Sequence, residues 1–167
     1  NRDYKNFLSI IGAALFLIFM ASFQVSFINS SFSNLNLFLI LILYLVLTGN
    51  DSKTLIFAWL GGILTGFSYF SNFGINSLVF LILTAFLIIL YKTVFLTLKT
   101  ESILLISLIG VVFYHFLNLL LTNGEFEFYF AGREILTELI LTALILLTIL
   151  KITTLRVVTR RVKAQNV

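Results

Sequence analysis

Few residues in this chain could do chemistry. The sharpest is Glu138, four residues after Glu134, so that on a helix the two share a face. An acid inside an apolar run is costly and by default marks function, usually on the side facing a bundle interior. The milder reading places Glu138 close to a helix N-terminus, where the dipole favours a carboxylate. His115 and Asn118 lie three apart and are neighbours on a helical face, with Tyr114 adding a hydroxyl. These groups could relay a proton or contact another subunit. The favoured reading is hydrogen bonding between helices, worth about 0.6 kcal/mol per bond in membranes. Gln24, and Asn72 with Asn76, read as structural polar groups. One histidine and no cysteine exclude a disulfide framework, a thiolate metal site and a histidine-rich centre. No nucleotide loop, nucleophile–base pair or metal cluster is spelled out, so the sequence predicts neither catalysis nor a cofactor.

The elements that must position these groups are apolar. Of 167 residues, 60% are hydrophobic and 11% charged, with a mean hydropathy of +1.10. Soluble domains carry about 25% charged residues, so the composition predicts an integral membrane protein of one domain. The apolar runs do not alternate with period two, which argues against a barrel. Six spans are predicted: Phe7–Ile28, Leu35–Leu47, Thr54–Phe70, Leu78–Leu98, Ser102–Leu121 and Glu134–Leu150. The second is short against the roughly 20 residues that cross a bilayer. Phe7–Ile28 is too long for the apolar core of a cleaved signal peptide and reads as a retained first helix. The fold class is therefore all-α, a polytopic helical bundle over residues 1–150, followed by a basic cytoplasmic tail over 151–167.

Charge orients the bundle. With a cytoplasmic N-terminus, Arg2, Lys5, Lys53, Lys92, Lys99, Lys151, Arg156, Arg160, Arg161 and Lys163 all fall inside, and only Arg133 falls outside. Ten of eleven basic residues on one side is the bias that positive-inside topology demands. Both termini are then cytoplasmic in a multi-pass protein. The net charge of +4 is read as attraction to an anionic inner leaflet, with the tail as a short basic helix on that surface, and no nucleic acid is called for.

The third and fourth runs, LIFAWLGGILTGFSYFSNFGINSLVFLIL, form the stretch the rest is organised around. Gly62 and Gly66, four apart, share a helical face that lets another backbone approach closely. That face is either internal packing or a docking site for a partner.

Taken in order, an early Gln24 in ASFQVSF, the short run NLNLFLILILYLVL, the G-x-x-x-G of Gly62 and Gly66, a turn ending in Gly74, Asn76 and Leu78, and the charged link KTES resemble the rod shape-determining MreD family. The resemblance covers roughly residues 21–121. Two departures stand out. Asn34–Asn36 replaces the family's Pro-Asp pair, and Tyr69 with Phe70 occupies the zone where an Asp usually follows the glycine helix. The resemblance implies a non-enzymatic scaffold of the bacterial cell-elongation (rod) complex in the inner, cytoplasmic membrane. It further implies binding to a bitopic MreC-like protein, proximity to cell-wall synthases and a role in cell shape and peptidoglycan synthesis. Gly62, Gly66, Gly74 and Asn76 are the candidate partner-binding residues, and Gln24, His115, Asn118 and Glu138 the candidate intramembrane polar ones. The family is also thought to share its helix arrangement with the substrate-binding S components of energy-coupling-factor vitamin transporters, which makes such a component the alternative. A further alternative, an accessory subunit of an organellar respiratory complex, rests only on the Phe- and Asn-rich composition.

Overall fold

The computed structural model describes the backbone of residues 2–28, 35–49, 51–68, 73–94, 100–122 and 128–165. It describes side-chain surroundings for 11–26, 35–49, 51–67, 74–94, 100–121 and 135–153. Among the described residues there are six helices and no strand. They are α1 (Arg2–Phe23, continued by a π-helical turn over Gln24–Ile28), α2 (Leu37–Leu47), α3 (Asp51–Ser68), α4 (Phe73–Val94), α5 (Thr100–Thr122) and α6 (Phe128–Gln165). Three stretches are long and apolar enough to cross a membrane: Gly74–Val94, Thr100–Leu121 and Ile135–Thr153. Ile11–Ser26 and Leu37–Leu47 are apolar but shorter.

The shortest apolar run turns out to be the centre of the molecule. α2 packs against α3, α4, α5 and α6. Its eleven residues, LFLILILYLVL, are apolar on every side apart from Tyr44, the pattern of a helix with no outward face. Phe38, Leu39, Ile40, Ile42, Leu43, Val46 and Leu47 are buried. At 1.5 Å per residue α2 is about 16 Å long, roughly half a hydrocarbon core. The other helices carry the exposed apolar side chains instead, among them Phe19, Trp59, Phe67, Ile89, Phe116 and Leu136.

Glycines let the other helices close on α2. A Cβ at Gly61 on α3 would stand 2.9 Å from the Phe38 ring, and one at Gly110 on α5 would stand 2.7 Å from Leu43 Cδ2. α3 and α4 form an antiparallel hairpin, the most extensive helix pairing in the bundle. At its tightest point a Cβ on Gly62 would collide with Ser77 Cα and lie 2.6 Å from Ser77 N and 2.8 Å from Asn76 O. At the other end of α2, Thr48 caps its C-terminus and Gly49 turns the chain at φ +72°, a left-handed conformation that glycine adopts without strain. Tyr91 there donates to Leu47 O at 3.3 Å, and Lys92 pairs with Asp51.

Three element boundaries differ from the sequence expectation. Gly74, Asn76 and Ser77 lie in the first turns of α4, not in a loop. Polar residues are common there because the first N–H groups of a helix lack intrahelical acceptors. The expected turn over 48–53 ends early, because Asp51 begins α3, where a carboxylate suits the helix dipole. α6 begins at Phe128 rather than Glu134 and runs without a break through Lys151 to Gln165.

Candidate functional site: a polar seam at the head of the central helix

Because α2 is short, its N-terminus lies deep beside α5, level with Tyr114. That is eight residues, or about 12 Å, before the end of α5. Non-helical backbone at such depth must find partners inside the protein. Gln24 supplies them. Its Nε2 donates to Leu35 O at 2.6 Å, and its Oε1 accepts from Leu37 N at 2.9 Å. The π-helical turn starts at Gln24, and such turns recur at functional positions. Asn36 completes the joint. Its Oδ1 accepts from Phe38 N and Leu39 N as the N-cap of α2, and its Nδ2 donates to Tyr114 Oη at 2.9 Å.

Tyr114 links this joint to the next polar pair. Its ring stacks on Phe80 at 5.5 Å and meets the His115 ring edge-on at 5.4 Å. His115 Nε2 then lies 2.5 Å from Glu138 Oε2 on α6. Glu138 is 1% exposed, whereas the His115 side chain is 30% exposed, so the pair has one closed end and one open end. Glu138 begins a stripe at four-residue spacing, with Thr142, Leu146 and Leu150, that is buried throughout. Glu138 Oε1 and Thr142 Oγ1 are buried without a hydrogen-bond partner. An unpaired buried polar atom costs about 1–3 kcal/mol.

Each sequence candidate now has a place. Glu138 faces the interior, but it is the eleventh residue of α6, so the helix-dipole reading of it is corrected: the helix starts two turns earlier than expected. His115 pairs across helices with Glu138 rather than along its own helix with Asn118. Asn118 Nδ2 donates back to Tyr114 O at 3.2 Å. Gln24 bridges the end of α1 and the start of α2 through Leu35 O and Leu37 N. Gly62 is consumed inside the chain by Ser77 and Asn76, which corrects the docking reading of that position: the hairpin itself covers the face. Gly66 is buried. Gly74 is exposed, and nothing stands within 4 Å of where its Cβ would be. Asn76 is half-buried. Asn72 lies outside the described residues, as do the side chains of Glu134 and of the tail beyond Thr153.

Sequence reasoning missed Asn36, Gly61, Gly110 and Thr142, and it missed the pairing of His115 with Glu138. A signal for that pairing existed: two ionisable side chains inside apolar helices tend to turn inward and find each other. Among the described residues, no group of three or more His, Cys, Asp or Glu is placed to hold a metal. Compared with family models, curated proteins and solved structures, the chain matches none.

Proposed function

We propose that the chain is a non-enzymatic, multi-pass subunit of a membrane complex, a scaffold of the kind the MreD resemblance implies. It crosses the cytoplasmic membrane six times with both termini inside. It binds a bitopic MreC-like protein beside the cell-wall synthases. The observation that carries this reading is where the motif residues fall. Gln24, Gly62 and Asn76 each sit at a joint: Gln24 ties the end of α1 to the start of α2, and Gly62 lets α3 close on Asn76 and Ser77 of α4. Residues spent on holding a shape suit a protein that works through the surface it presents. With Gly62 covered, that surface falls to the exposed apolar faces of the outer helices. Ten of eleven basic residues on one side of the six-span topology support the orientation.

A second reading, the S component of a vitamin transporter, is favoured by one observation. Gln24, Asn36, Tyr114, His115 and Glu138 converge around one end of α2, in the half of the bundle where α5 ends and α6 begins. Binding pockets want such convergent polar groups. Purification of the tagged chain from native membranes in mild detergent, with mass spectrometry of its companions, separates the two. A bitopic coiled-coil protein with cell-wall synthases supports the scaffold. A pair of ABC-type ATPases with a membrane coupling subunit replaces it with vitamin uptake, and respiratory subunits refute both.

A further inference from the structure

α6 does not stop where its apolar crossing stops. It runs as one helix from Phe128 to Gln165, 38 residues or about 57 Å, whereas a hydrocarbon core is about 30 Å thick. The crossing ends at Thr153, and the residues from there to Gln165 carry the helix about 18 Å further. A helix laid on the leaflet surface would need a sharp bend at that point. Such bends occur at proline, at Gly/Ser pairs or at π-bulges, and after Arg133 the chain holds no Pro, Gly or Ser. The headgroup zone on each side is about 5–8 Å deep. Helix positions 160, 161 and 163, about 10–15 Å past Thr153, therefore stand beyond it, and they carry Arg160, Arg161 and Lys163.

Register sorts this extension into two arcs. Eighteen residues make five full turns. Arg156, Arg160 and Arg161 thus repeat the helix positions of Glu138, Thr142 and Ala143, all buried against the bundle. Leu155, Val158 and Val162 repeat those of Thr137, Ile140 and Leu144, all exposed. The cationic arc is the one below the bundle, not the one toward surrounding lipid. The chain itself does not balance it: no acid follows Glu138, and the cytoplasmic side sets Asp3, Asp51 and Glu101 against ten bases, with Asp51 paired to Lys92. We propose that Arg156, Arg160 and Arg161 dock an acidic surface of a soluble cytoplasmic protein beneath the bundle. Arginine suits that partner, since its fork pairs bidentately with carboxylates. Nucleic acid is the weaker fit, because residues 152–167 hold no aromatic side chain on which bases stack. The inference rests on the proposed orientation, with both termini inside, and on neither partner reading.

The test is photo-crosslinking of the full chain in native membranes, with Arg160 replaced by p-benzoylphenylalanine and the adducts identified by mass spectrometry. The expected adduct is a soluble protein, joined through a peptide rich in Asp and Glu. Its yield should fall at least about tenfold in the double change Arg156→Glu with Arg161→Glu and persist in Val158→Ala on the opposite arc. An adduct only with phospholipid, with RNA or with the chain itself overturns the proposal. So does the absence of any adduct, a crosslinked peptide without acids, or a yield indifferent to the double charge reversal. Labelling of Arg160→Cys by a membrane-impermeant maleimide separates the two levels. Labelling from the outer side refutes the orientation and this docking with it. Labelling from the cytoplasmic side without an acidic adduct refutes the docking alone.

Discussion

Replacing Gly62 with alanine adds one carbon at the tightest point of the α3–α4 hairpin. That carbon would collide with Ser77 Cα and lie 2.6 Å from Ser77 N and 2.8 Å from Asn76 O. Ordinary contact begins at 3.4 Å, so the two helices must separate by about 0.8 Å against Ser77 N alone. The obstructing atoms are backbone and cannot rotate aside. Overpacking typically costs about 1–3 kcal/mol, and a backbone obstruction belongs at the upper end. For a chain of this length about 3 kcal/mol lowers Tm by roughly 6–12 °C. Two controls calibrate the value. Gly61→Ala meets the Phe38 side chain rather than backbone, at 2.9 Å, and should cost less. Gly74→Ala meets nothing within 4 Å and should be neutral or slightly stabilising, since alanine is the better helix former. The assay is thermal unfolding followed by the fluorescence of Trp59, the single tryptophan, whose carbonyl receives the Ser77 hydroxyl across the same hairpin. If Gly62→Ala melts with Gly74→Ala, the close approach is not a determinant of stability, and the assignment of Gly62 to internal packing fails.

Three further outcomes follow from the polar seam. Gln24→Leu leaves Leu35 O and Leu37 N unpaired at depth, and denaturant unfolding should show a loss of about 2–4 kcal/mol for the two groups together. Asn36→Ala removes the N-cap of α2 and should cost about 0.5–2 kcal/mol, whereas Asn36→Asp keeps the cap and loses only the donor to Tyr114; the same unfolding curves rank the two. For the His115–Glu138 pair, the double change His115→Phe with Glu138→Leu should be more stable than either single change. Each single change strands a polar group, while the double replaces the pair with apolar packing. A strictly additive cycle would show that the two side chains do not interact.

The fold was legible in the sequence as far as apolar run length could carry it. Six runs became six helices among the described residues, because uninterrupted apolar stretches free of proline have few other ways to satisfy their backbone. What run length could not tell was which helix lies inside. Leu37–Leu47 reads as a deficient span by length alone, yet being apolar on every side makes it the core that the others enclose. Its shortness in turn explains Gln24, whose amide exists to satisfy backbone stranded below the level of the neighbouring helix ends. At Gly62 the sequence left internal packing and docking both open, since a helical face says nothing of whose backbone will meet it; the structure gives the close approach to Ser77 and Asn76. The His115–Glu138 pair spans 23 residues and two helices, a separation that spacing rules on one helix do not reach.

The central claim, a six-crossing bundle threaded on a short buried helix, is tested most directly by single-cysteine labelling. The chain has no cysteine, so each introduced thiol is unique. Ser31→Cys precedes α2 and Gly49→Cys follows it. Probed with a membrane-impermeant maleimide in sealed vesicles of known orientation, the two should label from opposite sides, with Gly49→Cys on the side of both termini. Labelling of both from the same side would mean that α2 does not carry the chain across, and the six-crossing topology with its inward charge bias would be wrong.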